Sequence, residues 1–137
     1  MSCMYMNHKY LFDTHALIFW INKENVSEGF INFFDEQRDS GALLISSISF
    51  WEIALLAKKG KIEFGVDVNA WRQSIFENTN INLINPSAFE MIKSVQLPDH
   101  HKDPFDRLLT AQAIEHDALF VTKDEKIKEY DVRTFWM

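Results

Sequence analysis

The sequence predicts an α/β fold in which helices cover both faces of a parallel sheet. Short apolar segments alternate with helical patterns along all 137 residues. The apolar segments are continuous and show no polar-apolar alternation, which is typical of strands buried on both faces. With 47% hydrophobic and 14% aromatic residues, the chain has enough apolar surface for a core without disulfides. We therefore expect an α/β sandwich forming a single domain over residues 1–137.

The chain opens on a predicted strand followed by two helices. Tyr10-Leu11-Phe12 is apolar and stops at Asp13, after which aromatic residues recur at helical spacing over 15–21. Ser27 is a suitable N-cap for a second helix reaching about Asp39, because its hydroxyl accepts from free backbone amides. Gly41 follows as a stop signal.

The next strand, Ala42 to Ser46, leads into a third helix. Ser49 and Glu52 have the S-x-x-E spacing of a capping box, which would place Glu52 in the first turn. Gly60 ends this helix.

The second half of the chain predicts three more helices and three more strands. In order, these are an amphipathic segment from Val66 to Asn80, a strand from Ile81 to Ile84, a helix from Pro86 to Val95, a polar loop over 97–102, a helix opening at Asp103-Pro104, a strand from Ala118 to Val121, and a last short strand from Val132 to Phe135.

Charge and composition exclude several functional classes. A net charge of −6 argues against extensive electrostatic wrapping of nucleic acid, although small basic clusters such as Lys102 and Arg107 remain. With only 4 glycines there is no glycine-rich phosphate loop. A single cysteine, Cys3, a polar start and no long apolar run suggest a cytoplasmic protein without a membrane span.

Four carboxylates are placed where they are energetically unfavourable, at the ends of apolar segments: Asp13, Glu52, Asp106 and Asp124. Parallel sheets bind ligands beyond the carboxyl ends of their strands, and Asp13 and Asp124 each follow a strand. Converging carboxylates repel one another unless a cation lies between them. Oxygen ligands favour Mg²⁺ or Mn²⁺ over Zn²⁺. The pattern therefore predicts a divalent metal site.

Helix capping is the competing interpretation of these acids. Asp103 is a suitable N-cap with Pro104 as the first helical residue, which leaves Asp106 as the better ligand. Glu52 has a capping-box explanation, but its neighbours are almost all apolar, which favours burial. His15, His100 and His101 lack the spacing of a metal motif, so we expect no histidine ligand.

Four blocks of the sequence together resemble PIN-domain ribonucleases, specifically VapC-like toxins. They come in the family's order and spacing: YLFDTHALIFW over 10–20, SISFWEIA over 47–54, HKDPFDRLLTAQA over 101–113 and LFVTKD over 119–124.

This resemblance implies a Rossmann-like parallel sheet of about five strands and an endoribonuclease that depends on Mg²⁺ or Mn²⁺. It also implies inhibition by a cognate antitoxin protein. Asp13, Glu52, Asp106 and Asp124 match the family's four acids, and Asp103 lies close enough to Asp106 that either could contact the metal. Thr14 and Thr122 are expected to orient Asp13 and Asp124.

Two other functions remain open from the sequence. The acids could merely cap helices in a non-catalytic interaction module, or the same site could serve a metal-dependent phosphoesterase acting on DNA or a small phosphorylated substrate. We also expect a homodimer or an antitoxin segment to cover exposed aromatic residues of the early helices, including Phe19, Trp20, Phe30 and Phe34.

Overall fold

A computed structural model describes residues 8–137 and contains one parallel five-stranded sheet. Its strand order is β3-β2-β1-β4-β5, with every neighbouring pair parallel. The strands are β1 (Tyr10–Phe12), β2 (Leu43–Ser46), β3 (Asn82–Ile84), β4 (Leu119–Val121) and β5 (Thr134–Phe135). The predicted α/β sandwich is confirmed.

Within the described residues, six helices connect and cover the strands, and a 3-10 turn (Ile127–Glu129) precedes β5. The helices are α1 (Thr14–Asn22), α2 (Glu28–Gln37), α3 (Ser47–Lys58), α4 (Val68–Asn78), α5 (Ala88–Gln96) and α6 (Pro104–Glu115).

Successive residues of the central strand β1 point into two separate cores. Phe12 packs in a core with α1, α2 and α4, whereas Leu11 packs on the other face with Leu109 and Ala113 of α6. Both Leu11 and Phe12 are buried, which explains why the strand reads as a continuous apolar run.

The expectation that the aromatic residues of the early helices are exposed is wrong. Trp20, Phe30 and Phe34 are buried and Phe19 is half-buried. The Phe34 ring packs at centroid distances of 4.8–5.6 Å against the rings of Tyr10, Phe12, Phe30, Phe33 and Phe135. These rings bury one another's apolar surface in a single aromatic core.

Helix α5 carries the largest group of exposed apolar side chains among the described residues. Phe89, Met91, Ile92 and Val95 are between 50% and 78% exposed. We call these four residues the exposed apolar face of α5, and this helix offers the apolar patch that the sequence assigned to α1 and α2.

Several predicted helix boundaries differ from the structure. Ser46 rather than Ser49 is the N-cap of α3, accepting a hydrogen bond from the Ile48 amide at 3.2 Å. Glu52 therefore lies in the second turn and takes no part in a capping box. Pro86 precedes α5, whose N-cap is Ser87.

Among residues 8–137 no helix has the length and apolarity needed to cross a membrane. Cys3 and most of the polar N-terminal segment used in the sequence arguments lie outside the described residues.

Candidate metal centre

The two central strands place Asp13 and Asp124 at one edge of the sheet. Asp13 follows β1 directly and caps α1, with its Oδ1 accepting from the Ala16 amide at 2.6 Å. Asp124 follows the neighbouring strand β4, and its Oδ1 accepts from the Lys126 amide at 2.9 Å. The predicted convergence of these two acids follows from the pairing of β1 with β4.

Glu52 reaches the same region from the second turn of α3. It is only 9% exposed, and its Oε1 atom has no hydrogen-bond partner within the described part of the chain. Leaving a buried carboxylate oxygen without a partner is costly, so this atom is available for a ligand.

Helix α6 supplies the remaining two acids at its N-terminus. Asp103 is the N-cap and accepts from the Phe105 amide at 2.8 Å, with Pro104 at the first helical position as predicted. Asp106 lies in the first turn, with 23% of its side chain exposed. Capping thus accounts for Asp103 and leaves Asp106 without a structural role of its own.

The pKa shifts indicate that all five carboxylates lie near one another. Burial raises the pKa of Asp106 to about 8, with further contributions from the charges of Asp103, Asp13, Glu52 and Asp124. Burial is also the main cause that raises the pKa of Glu52 and that of Asp13. A site in which several acids resist ionisation together is one that a cation would stabilise.

The two threonines serve different acids from those expected. A hydrogen bond from Thr122 lowers the pKa of Asp13, whereas the Thr14 hydroxyl lowers that of Glu52. The Thr14 and Ser49 hydroxyl oxygens lie 3.1 Å apart, and the Asp124 amide donates to the Thr122 hydroxyl at 3.1 Å. Thr14 therefore serves Glu52 and α3 instead of Asp13, whereas Thr122 contacts both Asp13 and its expected partner Asp124.

His101 is a member of this cluster that the sequence arguments missed. Its Nε2 lies 2.9 Å from Asp124 Oδ2 and 3.2 Å from Asp106 Oδ2. These three side chains bring ligand-type atoms within 4.8 Å of one another. The sequence feature that could have revealed His101 is its place in the chain, two residues before the N-cap of the helix that carries Asp106.

Arg107 has a structural role, although its position in the sequence had placed it among possible phosphate-binding cations. Its guanidinium group is largely buried and donates at 2.8–3.1 Å to the backbone carbonyls of Ser94, Val95, Leu97, Pro98 and His101. Together with the Tyr130 hydroxyl, 3.3 Å from Nη1, these carbonyls occupy all three nitrogens of the guanidinium group.

These residues fit a divalent cation. The donor set consists of carboxylate oxygens, which suit Mg²⁺, Mn²⁺ or Ca²⁺ better than softer metals. The unpartnered Glu52 Oε1 and the raised pKa of Asp106 are both features that a bound cation would relieve.

The chain shares its sequence pattern with a known family. The family described as PIN domain matches residues 10–133, which is most of the sequence. The chain therefore belongs to the PIN-domain family.

Individual relatives agree with this assignment. The chain is 31% identical over 121 residues to ribonuclease VapC22 of Mycobacterium tuberculosis, covering 88% of this chain and 90% of the relative. It resembles the fold of VapBC2 from Rickettsia felis, solved bound to a promoter DNA fragment, with a TM-score of 0.68 and 20% identity over 93% of this chain and 98% of the other. It also resembles FitAcB from Neisseria gonorrhoeae, with a TM-score of 0.61 and 18% identity over 92% and 96% of the two chains.

Proposed function

We propose that this protein is an endoribonuclease that uses Mg²⁺ or Mn²⁺ and is the toxin of a toxin–antitoxin pair. The observation that carries the proposal is the convergence of Asp13, Glu52, Asp103, Asp106 and Asp124 at one sheet edge, with the pKa of Asp106 raised to about 8. The 31% identity to a protein named as a ribonuclease supports RNA as the substrate. Cellular RNA as substrate would place the protein in the cytoplasm.

The chain's own residues have distinct parts in this mechanism. We assign Asp13, Glu52, Asp106 and Asp124 as the acids that hold the cation, while Asp103 caps α6 and adds negative charge. A bound divalent cation would supply an activated water and stabilise the negative charge that develops on the scissile phosphate. As the resemblance to PIN-domain ribonucleases implies, water attacks the phosphorus and the ribose 3′-oxygen leaves, which gives a 5′-phosphate and a 3′-hydroxyl and needs no participation of the 2′-OH.

Two exposed lysines flank the site and can hold the RNA backbone despite the acidic net charge. Lys102 lies directly between His101 and Asp103, and Lys123 directly precedes Asp124. The Lys123 ammonium lies 5.4 Å from the Phe19 ring centroid and 5.9 Å from that of Trp136. Cation–π contacts with these rings hold the Lys123 ammonium group close to the carboxylates.

The test is cleavage of a labelled RNA pool by the purified chain with Mg²⁺, with Mn²⁺ and with excess EDTA. We expect metal-dependent cleavage whose products carry 5′-phosphates, and loss of cleavage in Asp106→Asn. A DNA oligonucleotide and a chromogenic phosphodiester run in parallel distinguish the ribonuclease from the alternative phosphoesterase. Undiminished RNA cleavage in EDTA would refute the metal mechanism.

The proposed partners are a cognate antitoxin and a second copy of the chain. A structure of similar fold is a toxin-antitoxin complex from Klebsiella pneumoniae. An arginine of the antitoxin entering the acidic site would compete with the cation and neutralise the negative charge of the site.

The exposed apolar face of α5 is the surface we assign to the homodimer. Light scattering of the chain and of Ile92→Asp should show a dimer and a monomer, respectively.

A further inference from the structure

His101 makes a defined hydrogen bond through each ring nitrogen. Its Nδ1 accepts from the Asp103 backbone amide at 3.0 Å. Its Nε2 lies 2.9 Å from Asp124 Oδ2 and 3.2 Å from Asp106 Oδ2. Only 13% of the side chain is exposed, so solvent offers few competing partners.

These contacts fix the tautomer of the ring. An amide N–H can donate only to a nitrogen that carries a lone pair, so Nδ1 bears no proton. A neutral imidazole then carries its proton on Nε2. The Nε2–H group therefore donates to Asp124 Oδ2 and lies 3.2 Å from Asp106 Oδ2, and in this state Nε2 has no lone pair with which to bind a metal.

The donor joins two parts of the chain that lie far apart in the sequence. Asp106 belongs to the first turn of α6, whereas Asp124 lies in the loop after β4. Their carboxylates repel each other, and an N–H placed against one oxygen of each reduces that repulsion and fixes their separation.

The position of His101 is itself held from two sides. The hydroxyl of Tyr130 accepts from the His101 backbone amide at 3.0 Å. Arg107 donates to the His101 carbonyl at 3.0 Å and to the Tyr130 hydroxyl at 3.3 Å. The loop between α5 and α6 is therefore anchored at the residue that contacts the acids.

We propose that His101 is a positioning residue of the metal site, whose neutral Nε2–H holds Asp106 and Asp124 together at the point where a cation binds. This inference rests on the proposed function, because it takes the carboxylates to be metal ligands. Groups that orient metal ligands in this way contribute about 10–100-fold to metal affinity or activity.

Two substitutions separate the role of Nε2 from that of Nδ1. In His101→Asn, the short amide can still accept from the Asp103 amide but does not reach the carboxylates. In His101→Gln, the longer amide places an N–H donor near the original Nε2. His100→Asn is the matched control, because His100 shares the loop and packs its ring 5.1 Å from that of Tyr130.

The first readout is Mn²⁺ affinity of the full chain, measured from the electron paramagnetic resonance signal of free Mn²⁺. We expect His101→Asn to weaken binding by about tenfold, while His101→Gln and His100→Asn stay within about threefold of the wild type. Wild-type affinity in His101→Asn would overturn the proposal, as would an equal loss in His101→Gln or in His100→Asn.

The second readout is the tautomer, from long-range ¹H–¹⁵N spectra of the ring with and without Mg²⁺. We expect the proton on Nε2 in both states. A proton on Nδ1 in either state would overturn the proposal, because Nε2 would then be free to act as a ligand.

The experiment also separates this proposal from the function on which it rests. If the wild type binds no Mn²⁺, or if Asp106→Asn binds it equally well, the metal site itself is refuted and the role of His101 fails with it. If the wild type binds and Asp106→Asn does not, a normal His101→Asn variant refutes the positioning role alone.

Discussion

Replacing Asp106 by asparagine should stabilise the metal-free protein, and more strongly as pH rises. Asparagine has nearly the shape of the protonated acid but never ionises. In the folded chain the pKa of Asp106 is raised from 3.8 to about 8 by burial and by the charges of Asp103, Asp13, Glu52 and Asp124. The wild type must therefore ionise an unfavourable carboxylate between these two pH values, whereas the variant does not.

The direction of this pH dependence follows from proton binding. Because the folded-state pKa is raised, folded protein binds the Asp106 proton more tightly than unfolded protein does. The wild-type free energy of unfolding falls between pH 4 and pH 8 relative to the variant. The rise of this pKa from 3.8 to about 8 corresponds to a ceiling of about 6 kcal/mol. Solvent reaches 23% of the Asp106 side chain and screens the repulsion from the neighbouring carboxylates. We therefore expect Asp106→Asn to raise the free energy of unfolding by about 2–3 kcal/mol at pH 8.

The assay is urea unfolding of both proteins in EDTA, followed by tryptophan fluorescence at pH 5 and at pH 8. The stability gain of Asp106→Asn should be partial at pH 5, where the unfolded-state carboxyl is already mostly ionised, and reach its full size at pH 8. Asp131→Asn, at an exposed surface position, is the control and should change little at either pH. A variant that is less stable than the wild type at pH 8, or a gain independent of pH, would refute the reasoning.

Three further predictions test the core, the loop and the RNA contact. Phe34→Ala should lower the free energy of unfolding by about 3–5 kcal/mol in urea. Val66→Ala, at a position that is 58% exposed and outside α5, should change it by less than about 0.5 kcal/mol, and similar effects of the two would contradict the assigned core. Arg107→Lys should cost about 2 kcal/mol because several carbonyls lose their donor, and retention of full stability would show that these hydrogen bonds contribute little. Combined Lys102→Ala and Lys123→Ala should raise KM for RNA and flatten its salt dependence by a slope of about 1–2, whereas an unchanged KM at every salt concentration would exclude them as phosphate contacts.

The sheet was predictable because its strands are short, apolar and followed by polar stop signals. β1 and β4 end just before Asp13 and Thr122, so strand ends and candidate ligands came from the same pattern. Helix starts were less certain because more than one serine fits. Ser49 satisfies the spacing of a capping box, but β2 extends to Ser46 and the helix begins directly after it.

The candidate acids were found from sequence because a carboxylate beside an apolar run requires an explanation. The sequence could not reveal the role of His101 in the same way. That role depends on how the loop between α5 and α6 folds, and the loop is held by Arg107 and Tyr130, which lie 6 and 29 positions further along the chain. Exposure of the early aromatic residues was mispredicted because counting rings ignores how closely they pack against one another.

The most direct test of the metal site is a crystal of the chain soaked in Mn²⁺, with diffraction data collected to locate the metal by anomalous scattering. The account predicts an anomalous peak bounded by Asp13, Glu52, Asp106 and Asp124, and no peak at that position in crystals of Asp106→Asn. A fully occupied peak elsewhere with none among these carboxylates, or an undiminished peak in the variant, would contradict it.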